Sequence, residues 1–308
     1  MTGLQHGTAA SSTAQRPPGR LRSLGSAIPS SARGGLVREA LLVTAAMLAY
    51  FGIRNLTVGS REDALANAEH ILEAEDALGI AWEDAIQASI VGSDTFVTLA
   101  NWVYIWGHWP VILSAAIALY IVRRDSYFLL RNALFVSGAI GFVMFALVPV
   151  APPRLLDLGL VDTVTEQSNA YRALQPPGLT NQYAALPSLH LGWNLAVGVV
   201  LFLTTAHLAV RAFALVSPLA MGFAVVATAN HFLLDVVAGA LVVLVGLAVA
   251  GEIERRRDPA TLAGRGLALL PGLRARGGAA TFPGRPPGRQ PHRRPPRSGA
   301  ARRRARRG

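Results

Sequence analysis

The stretch "NHFLLDVVAGALVVLVGLAVAGEIERRR", residues 230–257, decides the fold. Between Phe232 and Ala250 it holds one acid, Asp235, and no base, and three arginines, Arg255, Arg256 and Arg257, then follow in a row. A helix needs roughly 20 apolar residues to cross about 30 Å of hydrocarbon, and this run supplies them. Five further segments read the same way: 36–53, 98–122, 129–150, 191–210 and 212–229. The first is the weakest, because its core "ALLVTAAMLAYFGI" is short and Arg54 follows at once. Some 35 residues precede it and no small-residue cleavage site follows, so it reads as an anchor and not as a signal peptide.

The fold expected is therefore all-α: a polytopic membrane bundle of six helices, over 36–253. The composition agrees, with 52% hydrophobic residues and a mean hydropathy of +0.37 over 308 residues. Arginine placement adds orientation. Arg33 and Arg38, then Arg123, Arg124 and Arg131, then Arg211, then Arg255 to Arg257 all fall on one side of six spans. Both termini are then cytoplasmic, and 54–97, 151–189 and the turn near Asn230 face outward. A multi-pass protein of the cell membrane is the expectation.

There is no Cys, which excludes disulfides, thiolate catalysis and Cys-ligated zinc. The net charge of +11 does not point to nucleic acid, because 16 of the 29 arginines lie between Arg255 and Arg307. That segment, 254–308, is rich in Pro, Gly and Arg and reads as a disordered cytoplasmic tail, as does 1–35 at the other end. The basic tail either contacts anionic lipid head groups or serves as a solvated topology signal, and the second reading asks less of it.

The segment "REDALANAEHILEAEDALGIAWEDAIQASI" is not a span; nine acids lie between Glu62 and Asp94. Leu65, Ala68 and Leu72, then Trp82, Ile86 and Ile90, recur at helical spacing, with Gly79 between the sets. Two outer amphipathic helices over 61–92 follow, either capping the bundle or bordering a route for lipid.

Ionisable side chains inside spans are costly and are usually functional. In "NHFLLD", His231 and Asp235 lie one helical turn apart on one face, so the carboxylate can hold the imidazole in one tautomer while the other ring nitrogen attacks an electrophile. His190, in "AALPSLHLGW", stands level with His231 under this topology. Ser188 reads as the N-cap of that helix, and the first-turn amides of Leu189, His190 and Leu191 make an anion site. His190 can give a proton to a leaving oxygen and later take one from water. Arg154, in "VPVAPPRLLDLG", offers a forked, permanent cation at a third span end. Phosphate is the anion that would use all of these.

"PSLH" followed by "NHFLLD" resembles the type 2 phosphatidic acid phosphatase superfamily, whose motifs are written KxxxxxxRP, PSGH and SRxxxxxHxxxD; the likeness runs over roughly 98–250. It implies a phosphatase or phosphotransferase acting on a lipid phosphate without metal or cofactor. It implies His231 as the nucleophile forming a phosphohistidine, Asp235 as its orienting partner, and His190 as general acid and then base. Arg154, Ser188 and Leu189 would hold phosphate. The chain departs from the family at Leu147, Leu155, Leu189, Ala224 and Val225, so two expected cations are absent. Those departures, with "NWVYIWGHWP" and "APPR", look more like the inositol phosphorylceramide synthase-like branch, in which Tyr104 and His108 would support the site. A proton-coupled transporter or a membrane scaffold are the rival readings; a transporter would place its His and Asp near the midplane.

Overall fold

The computed structural model describes residues 30–56, 59–167 and 181–257. The readings on most of both tails, 1–29 and 258–308, lie outside the described residues. Among the described residues the chain is helical, with no strand and a single isolated bridge between Val150 and Ala184.

The helices are α1 (Ser30–Leu56), α2 (Arg61–Leu78), α3 (Glu83–Val91), α4 (Asp94–Trp106), α5 (Trp109–Val122), α6 (Arg124–Leu147), α7 (Thr163–Gln167), α8 (Leu189–Thr204), α9 (Leu208–Ala227) and α10 (Leu233–Arg257), with a short 3-10 turn at Pro153–Leu155. Helix α1 takes in 30–35, which the sequence reading put in the tail, and α10 runs on to Arg257.

Three helices, α6, α9 and α10, are long and apolar enough to cross a membrane, and α4 with α5 makes a fourth if the bent pair counts as one span. The expected straight span over 98–122 is instead broken, with a bend of 46°. The reason is local. Pro110 sits in the first turn of α5 and has no N–H to continue the helix, and the Gly107 amide closes α4 onto Val103 O. The expected span over 191–210 stops at Thr204, giving 16 residues or roughly 24 Å of helix.

Helix α8 is the centre of the bundle, packed against α9, α10 and α6. Trp193, Val197 and Val200 of α8 meet Leu130 and Ala133 of α6 and Val243 of α10 in one buried cluster. Leu215, Leu219 and Phe223 on α9, and Val237, Leu241 and Leu244 on α10, turn outward, as a lipid-facing surface requires. With lipid outside, association depends on close packing, and two glycines supply it. A Cβ on Gly192 would stand 2.7 Å from Gly239 O, and one on Gly239 would collide with Ser188 O. Gly239→Ala should therefore cost about 1–3 kcal/mol, read as a lowered thermal midpoint in detergent, whereas Gly251→Ala, which meets nothing, should not.

The α2–α3 pair forms where the apolar periodicity placed it. Ser60 caps α2 by accepting from Asp63 N at 3.0 Å, and Gly79 ends it in the left-handed region at φ 69°. At the far end of the bundle from His231, Glu39 of α1 accepts from Tyr127 Oη at 2.9 Å and from Arg131 Nη1 at 2.5 Å, which ties α1 to α6.

Candidate active site

The turn between α9 and α10 presents His231. The amides of Asn230 and His231 both donate to Val225 O, and Ala229 takes a positive φ of 54° to make this possible. His231 follows at once, 5% exposed. Its Nδ1 lies 2.9 Å from Ala185 O and 3.4 Å from Asp235 Oδ2. A carbonyl only accepts, so Nδ1 carries the proton and Nε2 carries the lone pair. The sequence reading put the orienting bond on Asp235; the shorter contact goes to Ala185, while Asp235 stands behind as a buried charge. Asp235 Oδ2 accepts from Phe232 N at 2.9 Å, and its Oδ1 has no hydrogen-bond partner among the described residues.

Helix α8 brings the second histidine. Its N-cap is Ser188, as expected, but the hydroxyl does not cap the helix; it is fully buried with no hydrogen-bond partner among the described residues. The first intrahelical bond runs from Gly192 N to Ser188 O, so the amides of 189–191 have no acceptor within the helix. Leu189 is buried against the bundle while its amide opens this turn. The His190 ring faces that of His231 at a centroid distance of 6.1 Å. It stacks on Tyr104 at 4.6 Å and lies 4.3 Å from the His108 ring. His108 in turn stacks on Trp193 at 5.7 Å, so the bend between α4 and α5 places both residues from the earlier span beside His190.

Arg154 arrives from the turn after α6, whose Arg154 N donates to Ala229 O at 3.1 Å. The guanidinium donates from Nη1 to Asn230 Oδ1 at 2.7 Å and pairs through Nε with Asp162 Oδ2 at 3.1 Å. Asp162 is held in place by its neighbours: Val161 N donates to Gln87 Oε1 at 2.7 Å, and Thr163 is bonded to Asn101 on both sides. The two positions where the family motifs carry cations are empty of charge, with Leu147 exposed on the bundle surface and Val225 buried in an apolar cluster.

Four polar partners were not found from sequence: Asn230, Asp162, Glu75 and Glu83. Asn230 precedes His231 and could have been weighed as its neighbour. The two glutamates carry no sequence signal, since they sit on helices already rich in acid. Both are buried, and both accept from the first turn of α10: Leu234 N donates to Glu75 Oε1 at 2.6 Å and Leu233 N to Glu83 Oε1 at 2.9 Å. Among the described residues no three His, Asp or Glu side chains are arranged to hold a metal ion.

No curated protein and no solved structure matches the chain. A family model does, over residues 69–249, a stretch that begins within α2 and takes in every residue of the constellation around His231. On that match over more than half its length, the chain belongs to the PAP2 superfamily, and membership indicates phosphatase or phosphotransferase activity in a multi-pass membrane protein.

Proposed function

We propose that the chain is a lipid-phosphate phosphatase or phosphotransferase that works through a phosphohistidine on His231. The observation that carries this reading is the His231 ring itself: Nδ1 is committed to Ala185 O, so Nε2 has its lone pair available, and it does so across from His190. In the first step Nε2 attacks phosphorus, the bond from phosphorus to the lipid oxygen breaks, and His190 delivers the proton that the leaving oxygen needs. The Asp235 charge offsets the positive imidazole so formed. In the second step His190 takes a proton from the acceptor, its oxygen attacks phosphorus, and the P–N electron pair returns to Nε2. Arg154, the Ser188 hydroxyl and the amide of Leu189 hold the phosphoryl oxygens. No step calls for a metal.

Water as acceptor makes a phosphatase; an alcohol makes a transferase. The inositol phosphorylceramide synthase-like reading is favoured by one feature, the packing of Tyr104 and His108 on His190, which narrows the acceptor side with rings. An apolar cleft of about 330 Å³ between α1, α5 and α6 suits a lipid chain; Trp109 and Trp193 wall it next to His108. Filling it with Ala139→Trp should raise KM for long-chain substrates about tenfold and leave a short-chain phosphate ester unaffected; equal effects on both would remove the cleft from the reading.

The arginine distribution supports six spans in the plasma membrane, both termini in the cytoplasm and the site facing outward. The basic tail would then be cytoplasmic, a solvated topology signal first and a contact for anionic lipid head groups second, with no part for nucleic acid. The deciding experiment is phosphate release from a panel of lipid phosphates by purified protein in EDTA, with and without free inositol. Release in EDTA supports a metal-independent phosphatase, a phospho-inositol lipid among the products supports the transferase, and inhibition by EDTA would overturn the metal-free step.

A further inference from the structure

The start of α10 presents a set of amides with no acceptor inside the helix. Three of them are taken by carboxylates from three different helices: Phe232 N by Asp235 of α10 itself, Leu233 N by Glu83 of α3, and Leu234 N by Glu75 of α2. Glu75 and Asp235 are completely buried and Glu83 is 4% exposed. A helix pair that did no more than cover the bundle would turn its acids to water, because burying a carboxylate is costly without specific compensation. Here the compensation is the end of the helix next to His231.

We propose that Glu75, with Glu83, is a positioning residue for His231, clamping from α2 and α3 the first turn of α10, which carries Asp235 and follows two residues after His231. The proposal rests on the reading of His231 as nucleophile. Ala185 O and the Asp235 charge can fix the imidazole only while that turn keeps its place, and the clamp is what ties it to the α2–α3 pair.

Three anions do not share one helix end comfortably. Burial above all pushes the Glu75 carboxyl up to about 8, against the opposing pull of the Leu234 amide, and Glu83, by its charge and by a side-chain hydrogen bond, and then the Asp235 charge add to the rise. Glu75 is then a neutral acid at neutral pH. Its Oε1 accepts from the Leu234 amide at 2.6 Å. The folded value lies above the ordinary 4.5, so the support Glu75 gives is complete below about 4.5, declines above it, and is lost as pH rises through about 8. Ionisation adds a charge facing Glu83 and Asp235 and drives α2 away from α10. His231 then loses its setting on the alkaline side.

The test compares wild type, Glu75→Gln and Glu75→Ala in detergent by two readouts, kcat for phosphate release against pH and hydrogen exchange at the Leu233 and Leu234 amides corrected for intrinsic rate. Gln retains the acceptor and cannot ionise. Wild type should lose about tenfold in amide protection between roughly pH 7 and pH 9, with a parallel fall in kcat, and Glu75→Gln should hold both across the range. Glu75→Ala should lose about tenfold in kcat with little change in KM, and lack protection at every pH. An alkaline limb in Glu75→Gln equal to that of wild type, or wild-type kcat and protection in Glu75→Ala, would overturn the proposal. If Glu75→Ala does not fold, the comparison of Gln with wild type decides alone. Wild-type protein that releases no phosphate would sink the nucleophile reading, while the exchange readout would still decide whether the clamp exists.

Discussion

His231→Asn should stop turnover, by at least about 10⁴-fold in kcat, and leave no phosphate covalently held after an alkaline quench. Asn can still donate to Ala185 O from the place of Nδ1, so the turn between α9 and α10 keeps its bonds to Val225 O and the protein should keep its thermal midpoint. What is removed is Nε2 alone. His190→Ala makes the informative contrast: it should slow both formation and breakdown of the intermediate, since one imidazole is assigned to both proton transfers, and so the trapped fraction should change far less than the rate. An active His231→Asn protein would dispose of the phosphohistidine altogether, and trapped phosphate on any other residue would relocate it.

Arg154→Ala should be nearly as severe, at about 10³-fold in kcat/KM. The reason lies in what the site lacks. Leu147 and Val225 stand where the family motifs carry cations, and Arg154, bonded to Asn230 beside His231, is the permanent positive charge seated at this turn. Its two anchors, Asn230 Oδ1 on Nη1 and Asp162 Oδ2 on Nε, leave the Nη2 edge for a phosphoryl oxygen. Arg154→Lys should recover little, because an ammonium cannot keep both anchors and still present a fork. Asp162→Ala, which loosens the guanidinium without removing it, should fall between wild type and Arg154→Ala. Full activity in Arg154→Ala, measured with the same lipid phosphate, would place phosphate recognition elsewhere.

Much of this arrangement was legible because it is written in side chains with strong local rules. Long apolar runs mark α6, α9 and α10 whatever their neighbours do, whereas the one helical face expected for His231 and Asp235 did not form: α10 starts at Leu233, and His231 meets Asp235 Oδ2 at 3.4 Å from the turn before it. Gly79 between two apolar sets predicted the break between α2 and α3. The bend at Gly107 and His108 was written there too, in Pro110, but a largely apolar stretch of 25 residues, 98–122, outweighed one proline. Other features left no trace. Ala185 acts through its carbonyl, an atom every residue has. Glu75 and Glu83 look like any acid on a solvated helix until α2 and α3 dock on α10, and Asp162 acquires its role only when Gln87 and Asn101 hold its loop against Arg154. Burial of a charge is a property of the assembled chain and not of the segment that carries it.

The glycine contact between α8 and α10 has an implication for how such a catalyst can diversify. Backbone touches backbone where Gly239 meets Ser188 and Gly192, so α8, which bears His190, and α10, which follows directly on His231, keep a spacing that side-chain replacement elsewhere does not alter. Tyr104 and His108 come from a separate, bent pair of helices. The surroundings of His190 can therefore be changed through α4 and α5, one residue at a time, with its distance from His231 inherited intact.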